Sequence, residues 1–144
     1  MPLEVYAMAI SLNFPTIAAR ASAHLHSPPM HKYSISQLSI LPSIESLHRL
    51  YLLHAHRIQC LREILSKEEV FPHNYGICPT KGHTDRTREL WMAKKKWLLM
   101  GRIEAGTDVA AEVAIGIGAL GDCVACTTAF ERAIEMLRVS ANLP

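Results

Sequence analysis

Apolar and polar positions alternate with a helical period along most of this chain, most clearly between Pro42 and Ser66. Leu47, Tyr51, His54, Ile58, Leu61 and Leu65 recur at four- and three-residue steps, which places them on one stripe of a helix. Leu50, Leu53, Cys60 and Ile64 widen the stripe into a face too broad for a lone surface helix. His48, Arg49, Gln59, Arg62 and Glu63 mostly take the other side. The pattern predicts a long amphipathic helix that buries its apolar face against other helices, with Leu61 and Ile64 nearly buried.

The flanking segments follow the same rule. Leu3 to Leu12 is a helix candidate with Val5, Met8, Ala9 and Leu12 on one face, and Asn13-Phe14-Pro15 punctuates it. Pro15 suits the first turn of a second helix running to about His24, whose alanines at 18, 19, 21 and 23 favour helix and close packing. Ser27-Pro28-Pro29 breaks it. Ser34 is placed to cap a short helix from Ile35 to Leu41, and Pro42-Ser43 restart the chain into the long helix.

From Lys67 to Thr84 no period is sustained, and Pro72, Gly76, Pro79 and Gly82 mark a long loop of the kind that is disordered or held by something specific. Asp85 is expected to open the next helix, with Leu90, Ala93, Trp97 and Met100 sharing a face and Gly106 ending it. Thr107 is expected to cap a helix from Asp108, and Cys126 to Val139 forms the last, with Phe130, Ile134 and Leu137 inward. No stretch alternates convincingly as a strand. The expected fold is all-α: a single domain, an irregular bundle of about six helices with one long central helix. Its N-terminal helices occupy residues 1–66, the loop 67–84 and the C-terminal helices 85–144.

Composition narrows the function without naming it. In 144 residues, 49% apolar, fifteen basic side chains face thirteen acidic ones, a formal net charge of +2. That balance points to no nucleic-acid or membrane surface. The apolar start, Val5 to Leu12, carries Glu4 where a secretory signal has positive charge. The four cysteines are therefore expected to be reduced, in an intracellular protein of cytoplasm or nucleus. The run Val109 to Gly121 is too short and too polar to span a bilayer.

Four segments are candidates for chemistry. Gly116-Ile-Gly-Ala-Leu-Gly121 matches the Gly-x-Gly-x-x-Gly fingerprint of dinucleotide-binding enzymes, but that fingerprint needs a strand before it and an acidic residue on a second strand after it. A glycine-rich helix junction fits better here. Cys123-Val-Ala-Cys126 has the spacing of half a zinc site, and Cys78-Pro-Thr-Lys-Gly-His83 offers another pair; together they would form a zinc-stabilised regulatory domain in which metal holds the long loop. Against this, the two pairs lie far apart in sequence, and cysteines at i and i+3 on an apolar helix are commonly small core residues. Packing is the preferred account, with no bound cofactor. Arg86, Arg88, Lys94, Lys95 and Lys96 surround Trp91 and Trp97, yet the lysines fan around the helix and the tryptophans do not share a face. A solvated basic face is expected there. His24-Leu-His26 and His54-Ala-His56 point their pairs to opposite sides of a helix, and His54 is expected in the core with a hydrogen-bond partner. No nucleophile signature or paired carboxylate stands out, so a non-enzyme is expected.

The order of these blocks resembles a known family. Leu3-Glu-Val-Tyr-Ala-Met-Ala-Ile10, then Phe14 and the alanine-rich Ile17 to Leu25, is similar to a segment of mushroom-type fungal BTB/POZ proteins. In that family the segment follows the BTB fold and starts a helical C-terminal extension. Leu50-Tyr-Leu-Leu-His-Ala-His-Arg-Ile-Gln-Cys60 resembles the family's next block, and Cys78 before Trp91 or Trp97 matches its cysteine-bearing loop. Cys123, Cys126 and Phe130 match its late Cys-x-x-Cys and terminal helix. The strands and dimerising helices of the BTB fold do not occur in this sequence, so the resemblance is to the extension alone. It implies an adaptor or scaffold module that binds another protein, as a homo- or hetero-oligomer, with apolar surface exposed along Met1 to Leu12.

Overall fold

The computed structural model describes residues 2–142, and these form α-helices and short 3-10 turns with no strand among them. The helices are α1 (Pro2–Ser11), α2 (Pro15–Ser22), α3 (Ile35–Leu38), α4 (Ile44–Lys67), α5 (His83–Leu99), α6 (Val109–Ala114) and α7 (Val124–Ala141). The all-α expectation holds. No described helix is long and apolar enough to cross a membrane.

The chain divides into two compact units, and the division falls within α4. The first unit runs to Gln59 and includes Glu104–Gly106; the second holds Cys60–Ile103 and the chain from Thr107.

In the first unit, Leu3, Tyr6 and Ala9 of α1 pack with Ala18 and Ala21 of α2, Leu25, and Leu50 of α4. Alanine side chains let α1 and α2 approach closely. Pro15 starts α2 as expected, and the Phe14 amide donates to the Ala9 carbonyl across the turn. Ser34 caps α3 through a capping box with Gln37, although the helix stops at Leu38. Ser43 and Ser46 bond reciprocally at the start of α4, each side-chain oxygen accepting from the other's amide at 3.1 and 3.2 Å.

One face is exposed as expected and another differs. Val5 and Met8 on α1 and Leu12 just past its end form an outward apolar stripe, 47%, 63% and 58% exposed, as expected along this segment, while Ala9, placed on the same face by the sequence pattern, is buried. Met1 lies outside the described residues. On α4 the buried line in this unit runs Ser46, Leu50, His54, and Tyr51 faces solvent. The line starts one position earlier than apolar spacing suggests, because buried Ser46 satisfies its own hydroxyl on the Ser43 carbonyl at 2.6 Å.

In the second unit Leu61 and Leu65 are fully buried and Ile64 is half-buried. The inward face of α5 is Thr87, Trp91, Lys95 and Leu98, in place of Leu90, Ala93, Trp97 and Met100. The correction turns on Lys95, which apolar periodicity assigns to solvent. Its ammonium donates to the carbonyls of Ser66 at 2.9 Å and Glu68 at 2.8 Å. Cations are favoured there, where the last carbonyls of α4 lack helical partners. Burial lowers the Lys95 pKa, against the pull of the Glu69 and Glu68 carboxylates. Trp91 donates its indole N–H to the same Glu68 carbonyl at 3.2 Å. Its ring meets Phe130 edge to face, with centroids 5.1 Å apart. The last helix buries Cys126, Ala129, Phe130, Ala133, Ile134 and Leu137, the face expected of it. Asp108, not Thr107, caps α6: its carboxylate accepts from the Ala111 amide at 2.9 Å.

Candidate metal centre

Two pairs of side chains sit at the starts of the two long helices of the second unit. Cys78 lies in irregular chain and His83 is the first residue of α5, joined by a turn in which the His83 amide donates to the Thr80 carbonyl. Gly82 caps α5 at φ 81°, a left-handed conformation that glycine adopts without steric cost. Cys123 is the N-cap of α7 and Cys126 is in its first turn. Gly121, at φ 64°, turns the chain from the preceding 3-10 segment, Ile117–Leu120, toward Cys123.

The pairs converge. One ligand atom from each of Cys78, His83, Cys123 and Cys126 lies within 4.8 Å of all the others. The Cys78 and Cys123 sulfurs are 3.5 Å apart, and the Cys78 sulfur is 3.9 Å from His83 Nδ1. A zinc tetrahedron with bonds of roughly 2.3 Å to sulfur and 2.0–2.1 Å to nitrogen has edges of about 3.5–3.8 Å. The cluster matches that size with small contraction, and its soft thiolate and imidazole donors are those that zinc prefers. The separation in sequence, which weighed against a metal site, is removed by folding, so these four residues could hold a metal ion. Cys126 is at the same time a buried core residue, as the packing account requires.

The electrostatics point the same way. The Thr80 backbone N–H holds the Cys78 thiol down to about 7, with further help from the Thr80, Cys123 and Cys126 side chains. Burial pushes Cys126 up to about 11, and the neighbouring sulfurs add to the rise. A cation bound among these sulfurs would oppose the rise at Cys126, since positive charge favours the thiolate. The N-termini of α5 and α7 add favourable positive potential. Buried Thr87 supports both pairs: its hydroxyl donates to the His83 carbonyl at 2.8 Å and is in hydrogen-bonding reach of the Cys126 sulfur. Thr84 donates to the Cys78 carbonyl at 3.4 Å. A cleft lined by Thr80, His83, Arg86, Leu120, Asp122 and Cys123 opens onto the cluster. Sequence reasoning had all four residues in hand; the supporting Thr80 and Thr87 carried no sequence signal.

The other candidates do not assemble. The Gly116–Gly121 fingerprint follows helix α6, with no strand before it, so the turn that holds a pyrophosphate is not formed. Among the basic residues, Arg86 donates to the Ala119 carbonyl and Arg88 to the Asn74 side chain, Lys95 is buried, and Trp97 stacks under Arg102. His54 is buried as expected, with a hydrogen bond to the Leu25 backbone, and its Nε2 has no hydrogen-bond partner. Burial lowers the pKa of His54; burial first, then Arg57, His54 and His24, lowers that of His26.

No family model, curated protein or solved structure matches this chain, so the resemblance to the BTB-associated extension rests on its sequence blocks alone.

Proposed function

We propose that this chain is a zinc-stabilised, non-catalytic helical module in which Cys78, His83, Cys123 and Cys126 hold one structural zinc ion. The observation that carries the proposal is the convergence of four ligand atoms within 4.8 Å. Three cysteines and one histidine complete a tetrahedral sphere and leave no position for water or substrate, the pattern of structural rather than catalytic zinc. The metal fastens the long loop to the starts of α5 and α7. Elemental analysis of the purified chain tests this: one zinc per chain is expected, lost in Cys126→Ser. Chelation should lower the thermal midpoint, since binding energy of such sites is folding energy. A metal-free chain with the same midpoint as one saturated with zinc would refute it.

A protein-binding role is favoured by a separate observation, the exposed Val5, Met8 and Leu12 stripe on α1. Contiguous apolar surface of this kind is a feature of interaction sites. In this reading the module binds another protein, as homo- or hetero-oligomer, as the BTB-extension resemblance implies. An apolar reporter dye should bind the native chain and be lost in Met8→Lys; no binding to the native chain removes this support.

A further inference from the structure

We propose that the Cys78–Cys123 edge of the cluster is an oxidation-sensitive release point: a hydroperoxide converts this pair into a disulfide, and the site lets its zinc go. The proposal rests on the zinc reading of these four residues and adds a regulation to it.

Three observations single out this edge. The two sulfurs are 3.5 Å apart, so about 1.5 Å of closure reaches the S–S bond length of roughly 2.05 Å. Cys123 and Cys126 both line the open cleft, and of the two Cys123 is the half-exposed one that a small oxidant reaches, while Cys78 is buried. The backbone of both residues lies outside regular helix, with Cys78 in irregular chain and Cys123 at the N-cap after Gly121. Cys126 differs in this respect. Its backbone is held by the first turn of α7 and it is 2% exposed, so it is both less mobile and less accessible than Cys123.

The chemistry balances with the peroxide alone. The Cys123 thiolate attacks one peroxide oxygen, the O–O bond breaks, and the distal oxygen leaves as hydroxide or alkoxide. Cys123 is then a sulfenic acid. The Cys78 thiolate attacks the Cys123 sulfur, the S–O bond breaks, and a hydroxide leaves as the disulfide forms. Two electrons pass from the sulfurs to the peroxide, and the expelled oxyanions take protons from solvent. Zinc leaves as Zn²⁺ without changing oxidation state. After closure only the Cys126 thiolate and the His83 imidazole remain of four ligands, and two anionic donors have been lost, too few to retain the ion.

The test uses the full reduced, zinc-loaded chain, titrated with hydrogen peroxide, with released zinc read by a chromogenic chelator and disulfides mapped by mass spectrometry. Release of one zinc ion for each Cys78–Cys123 disulfide is expected, reversed by a dithiol reductant with added zinc. Zinc that stays bound while peroxide is consumed overturns the proposal and leaves the structural zinc reading standing. Release accompanied by a Cys123–Cys126 disulfide, or by sulfinic acid without any disulfide, overturns it too. A reduced chain that holds no zinc before peroxide is added overturns both.

Discussion

Truncating Phe130 to alanine should unfold the second unit far more readily than its single-residue change suggests. Phe130 is fully buried and meets the edge of Trp91 at 5.1 Å with the rings 86° apart. Burying such a side chain is worth about 1.5–3 kcal/mol by transfer alone. The cavity left in a close-packed interior raises the loss to about 3–5 kcal/mol. Phe130→Leu keeps most of the volume and loses the aromatic pair, itself worth about 0.5–1.5 kcal/mol, so its loss should be about 1–2.5 kcal/mol. Equilibrium urea unfolding of the zinc-saturated chain, followed by tryptophan fluorescence, reads the difference, because Trp91 is shielded in the fold and exposed on unfolding. With a slope of about 2 kcal/mol/M, Phe130→Ala should lower the midpoint by roughly 1.5–2.5 M and Phe130→Leu by roughly 0.5–1.25 M. A loss below about 1 kcal/mol for Phe130→Ala would show that the interior against Trp91 is open, and the packing of α5 on α7 would have to be redrawn.

Other consequences follow from single contacts. Asp108→Ala should cost about 0.5–2 kcal/mol by leaving the Ala111 amide without its cap, and Asp108→Asn should recover most of it; equal losses in the two variants would remove the capping role. His54 and His26 are held below their ordinary 6.5 in the fold, so below about that pH the unfolded chain binds more protons than the native one. Their contribution to stability is therefore complete above pH 6.5 and lost as pH falls through the window beneath it. His54→Gln, which can still donate to the Leu25 carbonyl but does not titrate, should flatten the acid slope of urea midpoints measured between pH 7.5 and 5.5; an unchanged slope would assign the acid sensitivity elsewhere.

Helix type and position were legible in the sequence because they depend on local spacing. The four- and three-residue steps along α4, the Pro15 start of α2, the Ser34 cap and the inward Phe130, Ile134 and Leu137 of α7 all act within a few residues of themselves. Hydrophobic periodicity failed where a polar group found a partner distant in sequence. Lys95 is buried because it finds the carbonyls of Ser66 and Glu68, and that pairing rotates the whole inward face of α5. On α1, which carries apolar residues all round, packing with α2 and Leu50 selects which face is covered and leaves Val5, Met8 and Leu12 outward.

The candidate metal centre divides along the same line. Its residue types and the spacing within each pair are written in the sequence, since a turn leading into a helix places Cys78 near His83, and one helical turn places Cys123 near Cys126. That the two pairs meet is not. Cys78 and Cys123 are 45 positions apart, and their sulfurs come within 3.5 Å only because α5 and α7 pack with their N-terminal ends together. Local spacing sets the chemistry that each half can offer, and tertiary packing alone decides whether four donors surround one point.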